Sequence, residues 1–132
     1  MLLVDSNVLV DVLQDDPQWA DWSVRQLRAQ ASIHQLVINP VVYAEISLSF
    51  STLEALDGVI DTLGLALHEV PRPALFLAAR AFAQYRRRGG SKQQVLPDFF
   101  IGAHAAVQGW PLLTRNAAQF RTYFPSLQVL AP

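Results

Sequence analysis

The sequence predicts an α/β domain of three layers, with a central parallel sheet of four or five strands covered by helices on both faces. Three observations predict it. Short apolar runs alternate with longer segments of helical periodicity along the whole chain. The runs are apolar throughout rather than alternating, as strands buried on both faces require. The 132 residues, 52% of them hydrophobic and 16% charged, suit one domain spanning 1–132, on a prior of roughly 100 to 200 residues per domain.

Leu2-Leu3-Val4 is a short strand ending at Asp5-Ser6-Asn7, where the chain turns sharply into a helix carrying Val8, Leu9, Val12 and Leu13. Pro17 occupies the first turn of a second helix that runs to about Ala31, with Trp19, Trp22, Gln26 and Leu27 along one side. Leu36-Val37-Ile38 is the second strand. Asn39-Pro40 reads as an N-cap followed by proline at the first helical position, opening a helix through Val41, Val42, Ala44, Glu45 and Leu48. Residues 52–63 form another helix and Leu65 to Val70 a third strand. Pro71 and Pro73 start a helix through Leu75, Ala79, Phe82 and Ala83. It ends in Arg86, Arg87, Arg88 and then Gly89-Gly90, because helix C-termini favour cations followed by glycine. Beyond a loop, Pro97 begins a helix over 98–108 stopped by Gly109. Leu112-Leu113 is a strand, 116–120 a helical turn, and 128–130 the last strand.

A charged share of 16% lies below the usual value of about 25%, which excludes disorder and predicts an apolar surface that wants a partner. The absence of cysteine excludes disulfides, thiolate metal sites and a cysteine nucleophile. There is neither a basic and apolar leader nor a run of about 18 apolar residues, so a soluble cytoplasmic protein without a membrane segment is expected. A formal net charge of −1 and a pI near 6.2 argue against general electrostatic binding of nucleic acid, for which a pI above ~9 is usual. The charge is nevertheless segregated: Arg86, Arg87, Arg88 and Lys92 place four of the ten cations within seven residues.

Ligands of open parallel sheets bind at the carboxyl ends of the strands, and Asp5, Glu45 and Asp98 interrupt apolar surroundings near such places. If the sheet gathers them, each pair about 4 Å apart repels by about 4 kcal/mol at an effective dielectric of about 20. Such a cluster demands a cation or shifted pKa values. An all-oxygen set of carboxylates suits Mg²⁺ or Mn²⁺. Each acid also has a plainer reading. Asp5 can cap the following helix, Asp98 can meet the positive end of its own helix, and Glu45 can be a solvated helix residue. Against the last stands the crowding of Val41, Val42, Ile46 and Leu48 on the same helix. Asp11, six residues after Asp5 and about 240° round the helix, is expected on the surface. His104 falls on a different face from Asp98, no His-x-x-x-His spacing exists, and the three histidines read as structural.

Four segments, in order, carry a resemblance. They are Leu3-Val4-Asp5-Ser6-Asn7-Val8-Leu9, Val41-Val42-Tyr43-Ala44-Glu45-Ile46, Leu96-Pro97-Asp98-Phe99-Phe100-Ile101-Gly102-Ala103-His104-Ala105 and Leu112-Leu113-Thr114-Arg115-Asn116-Ala117-Ala118-Gln119-Phe120. Together they resemble the signatures of PIN-domain nucleases, and among these the VapC-type toxins of bacterial toxin–antitoxin pairs. The resemblance implies Asp5, Glu45 and Asp98 as catalytic, metal-binding acids, Ser6 and Asn7 as support, and Thr114 beside the site. It implies the strand order 3-2-1-4-5, cleavage of RNA phosphodiesters with Mg²⁺ or Mn²⁺, and inhibition by a small VapB-type antitoxin in a homodimer or hetero-oligomer. Members of the family often carry a fourth acid at the place of Asn116 or Gln119. Both are amides here, which implies one strongly bound ion, with Asn116 orienting a water without adding charge.

Arg115, between two candidate site residues, reads as a phosphate contact. Arg87, Arg88 and Lys92 read either as further RNA contacts or as a solvated helix end. Trp19, Trp22, Phe50, Leu53 and Leu56 offer either core packing or a face for an antitoxin segment or a second copy. Two other functions compete. An aspartate-based, Mg-dependent phosphotransfer protein is one: a receiver needs a lysine after a late strand, yet the only lysine, Lys92, precedes Asp98, and a dehalogenase-like phosphatase needs an acid at Asn7. A PIN-like interaction module without activity is the other.

Overall fold

The computed structural model describes residues 1–91 and 96–132. Along the chain run β1 (Leu2–Val4), α1 (Ser6–Leu13), α2 (Ala20–Ala31), β2 (Leu36–Ile38), α3 (Pro40–Ser47), α4 (Leu53–Thr62) and β3 (Ala66–Leu67). Then follow α5 (Arg72–Arg87), α6 (Leu96–Gln108), β4 (Leu112–Leu113), α7 (Ala118–Tyr123) and β5 (Val129–Leu130). The strands form one five-stranded sheet in the order β3-β2-β1-β4-β5, every pairing parallel. This is the order the resemblance implies, and it differs from the 2-1-3-4-5 order of receiver domains.

β1 sits at the centre of the sheet, with Leu3 in register with Val37 on one side and Leu112 on the other. Successive residues of a strand point to opposite faces, and every residue of β1, β2 and β4 is buried. Both faces of the sheet are therefore covered. The edge strands β3 and β5 are more exposed.

Local chemistry sets the elements that matter to the site. Asn39 Oδ1 accepts the Val42 N–H at 2.9 Å and Pro40 follows it, a cap worth about 1 kcal/mol that starts the helix carrying Glu45. The same amide's Nδ2 donates to His104 Nδ1 at 3.2 Å, so α6 is tied to the cap of α3. His104 is fully buried, and burial, with His68 adding to it, lowers its pKa to about 4. It is a neutral structural group. Phe99, one residue past Asp98, lies in an aromatic cluster with Phe82, Tyr85, Tyr123 and Phe124, ring centroids 5.3–6.1 Å apart, which joins α5, α6 and α7. Gly102 permits that packing, since a Cβ there would lie 2.5 Å from the Phe124 ring.

Several boundaries differ from expectation. α2 begins at Ala20 rather than at Pro17 because the Asp16 carboxylate accepts the N–H groups of Gln18 and Trp19, both at 2.9 Å, and holds a turn before the helix. β3 shrinks to Ala66 and Leu67, the two residues in register with β2 at the sheet edge. α7 starts at Ala118, which leaves Asn116 outside the helix.

Candidate active site

Asp5 follows β1 directly and takes the N-cap position of α1, but its side chain makes no capping hydrogen bond. Thr114, which follows β4, donates its hydroxyl to Asp5 Oδ2 at 2.7 Å. Ser6 Oγ stands 3.4 Å from Asp5 Oδ1 and 2.9 Å from Glu45 Oε1. A hydroxyl has one proton, and the shorter contact takes it, so Ser6 joins α1 to α3 through Glu45. The carboxylate of Asp5 is 3% exposed. Burial above all pushes its pKa up to about 6; the Thr114 bond opposes this and the Glu45 charge adds to it.

Asp98 lies in the first turn of α6, where the helix dipole alone would favour its charged form. Its pKa instead rises to about 7, through burial first and then the charges of Asp5 and Glu45. The fold thus couples three acids that are far apart in sequence, and the plain capping reading fails for Asp5. The one ion pair among the described residues involves none of them. Among the described residues no three His, Cys, Asp or Glu side chains stand close enough, as placed, to wrap an ion. The donor chemistry still fits a hard divalent cation: carboxylate and hydroxyl oxygens only, with a mutual repulsion that a cation relieves.

Asn7 and Thr114 are linked to each other and, through Thr114, to Asp5. Asn7 Nδ2 donates to Thr114 Oγ1 at 3.4 Å, and Asn7 Oδ1 accepts the Arg115 backbone N–H at 3.2 Å. Asn116 reaches Thr114 Oγ1 only through its backbone N–H, at 3.2 Å, while its side chain is exposed. Gln119 lies beside Asp98 and Phe120 around a gap too small to hold a water molecule.

Asp11 corrects the sequence reading. It is 3% exposed rather than on the surface, because α2 covers that side of α1. Its Oδ2 accepts from Ser23 Oγ at 3.1 Å and from Arg115 Nε at 2.8 Å. Arg115, read from the sequence as a phosphate contact, is held by that pair with its guanidinium carbon 5.5 Å from the Trp19 ring centre. Arg86, Arg87 and Arg88 are exposed, Arg88 lying 5.5 Å over the Tyr123 ring. Lys92 lies outside the described residues.

Trp19 and Trp22 are half-buried and meet edge to face at 6.3 Å. The large apolar side chains most exposed to solvent are Leu48, Ile33, Phe76 and Leu53. An apolar groove of about 390 Å³, lined by Pro40, Val41, Ala44, Pro97 and Phe100, runs up to Glu45. The sequence reading missed it, since its walls come from two helices whose contact no local pattern announces.

The sequence matches the PIN domain family model over residues 2–125. No curated protein matches it. Among solved structures, VapBC2 from Rickettsia felis, bound to a DNA fragment from its promoter, is similar over 99% of this chain and 98% of that chain, with a TM-score of 0.75 and 18% identity. The DNA-bound VapBC of Salmonella typhimurium is similar over 98% and 96%, with a TM-score of 0.71 and 17% identity. A toxin–antitoxin complex from Klebsiella pneumoniae is similar over 98% and 96%, with a TM-score of 0.66 and 21% identity. At these identities the likeness is one of fold.

Proposed function

Since this chain belongs to the PIN-domain family, we propose that it is a Mg²⁺- or Mn²⁺-dependent endoribonuclease, a VapC-type toxin of the cytoplasm restrained by a small VapB-type antitoxin. One observation carries the reading: the buried Asp5 carboxyl at the end of the central strand, with Glu45 held beside it through Ser6 at 2.9 Å and Asp98 feeling the charge of both, none of them in an ion pair among the described residues. A divalent cation, when bound, supplies the positive charge that lets water be deprotonated near neutral pH and that neutralises phosphodiester oxygens.

Asp5, Glu45 and Asp98 hold that cation. Thr114 orients Asp5 and Ser6 orients Glu45, each through its single proton. Because Asn116 and Gln119 contribute no charge, the reading assigns one tightly held ion. The exposed Arg86, Arg87 and Arg88 end the helix that packs along α6 and supply phosphate contacts, with Lys92 beyond them. The similar structures are toxin–antitoxin complexes. The apolar groove beside Glu45 suits the apolar segment of such an antitoxin, in a hetero-oligomer or around a homodimer of this chain. No helix of the described residues is long and apolar enough to cross a membrane.

The test is cleavage of RNA by the purified, partner-free chain. Activity with Mg²⁺ or Mn²⁺, lost on chelation and in Asp98→Asn, supports the reading. An Asp98→Asn protein that cuts RNA as fast as the unaltered chain refutes it, as does a folded wild type that cuts none with either ion.

A further inference from the structure

Thr114 has one hydroxyl proton and two lone pairs, and all three are assigned. Asn7 Nδ2 at 3.4 Å and the Asn116 N–H at 3.2 Å donate to Oγ1, so its own proton goes to Asp5 Oδ2 at 2.7 Å. The Asn7 amide is oriented in turn, because its Oδ1 accepts the Arg115 N–H at 3.2 Å and this turns Nδ2 toward Thr114. The direction of the Thr114 proton therefore depends on where the Arg115 backbone sits. Residues 115–117 belong to neither β4 nor α7, and the backbone N–H groups of Arg115 and Asn116 donate to side chains, Asn7 Oδ1 and Thr114 Oγ1. Arg115 Nε is bound to Asp11 Oδ2 at 2.8 Å. Asp11 is fastened to α2 by the fully buried Ser23, and Trp19 of the turn before α2 closes over the guanidinium.

We propose that Asp11 and Arg115 are positioning residues whose ion pair fixes the orientation of the Asp5 carboxylate through Asn7 and Thr114. The proposal rests on the reading of Asp5, Glu45 and Asp98 as a cation site. It assigns Arg115 to the ion's carboxylate rather than to the RNA backbone. Two facts favour that assignment: the Arg115 side chain is only 26% exposed, and its Nε already has a buried acceptor.

The experiment measures Mn²⁺ affinity of the metal-free protein by calorimetry, RNA affinity in EDTA, and thermal melting. The proteins are the wild type, Asp11→Ala, Asp11→Asn, Arg115→Lys and the double variant Asp11→Ala with Arg115→Ala. The expected result is about tenfold weaker Mn²⁺ binding in Asp11→Ala and in Arg115→Lys, the size of loss that follows removal of a group supporting a metal ligand. RNA affinity in EDTA should stay unchanged in Asp11→Ala, and the double variant should bind Mn²⁺ no more weakly than Asp11→Ala, since a pair acting as one unit is not additive. If melting shows that Asp11→Ala does not fold, Asp11→Asn keeps the shape and the Ser23 bond and should show a smaller loss in the same direction. Unchanged Mn²⁺ affinity in every folded Asp11 and Arg115 variant overturns the inference alone. A wild type that binds no Mn²⁺ overturns the proposed function and this inference with it.

Discussion

Asp5 and Asp11 stand on the same short stretch of chain and are equally buried, each 3% exposed, yet their surroundings are opposite. Asp11 has an arginine at 2.8 Å and a serine hydroxyl at 3.1 Å. Asp5 has the Thr114 hydroxyl, no cation, and the charge of Glu45 nearby, and its pKa rises to about 6. Burying a charge without a partner is costly, so a fold that leaves Asp5, Glu45 and Asp98 uncompensated carries a standing electrostatic cost. The difference separates two uses of a buried aspartate. A paired one holds helices and loops together, and an unpaired cluster is where an external cation has most to gain.

The largest effect should come from breaking the paired side. Arg115→Ala leaves Asp11 buried without a counter-charge, a loss of about 3–5 kcal/mol, and urea unfolding should show a much lower midpoint. Asp11→Ala should cost less, because the freed Arg115 can turn to water. If the two variants unfold alike at wild-type midpoints, Asp11 is not held as described.

The unpaired side should respond with the opposite sign. Asp5 and Asp98 titrate near 6 and 7 in the folded chain against an ordinary 3.8, so protonation favours the folded state of the metal-free protein. The stability this contributes is full below about pH 3.8 and is lost as pH rises through about 6 and then about 7. For Asp5 the loss is on the order of 3 kcal/mol. Melting in EDTA should therefore show Asp5→Asn more stable than the wild type at pH 7.5, with the difference shrinking toward pH 4. A variant that melts lower at both pH values would mean that Asp5 serves the fold and not a charge cluster.

Much of this contrast was written in the sequence, and part of it was not. Asp5 was legible because it ends an apolar run at a strand terminus, and Glu45 because it interrupts a helix crowded with valine, isoleucine and leucine. Strand order followed from the resemblance and helix ends from local chemistry, as at Asn39-Pro40 and at Gly109, whose φ of +68° is a conformation glycine adopts at little cost. Asp11 was misread because helical periodicity gives an angle around α1 and says nothing of what covers it. Its partner Arg115 is 104 positions away, and only the packing of α2 over α1 makes that side an interior. The Ser6–Glu45 bond was hidden for the same reason.

The smallest effects should come from restoring a charge that the amides lack. Gln119 lies beside Asp98, whereas the Asn116 side chain is exposed. Gln119→Glu should therefore raise Mn²⁺ affinity by about tenfold, and Asn116→Asp by less. Calorimetry that ranks them the other way would place Asn116 nearer the ion than Gln119.

The central claim is that Asp5, Glu45 and Asp98 form one cation site. Its most direct test is calorimetric titration of Mn²⁺ into the metal-free wild type and Asp98→Asn at pH 7.5. One ion per chain is expected in the wild type, with binding weaker by at least about 100-fold in the variant. Equal affinity in the two proteins, or no binding by a folded wild type, would contradict it.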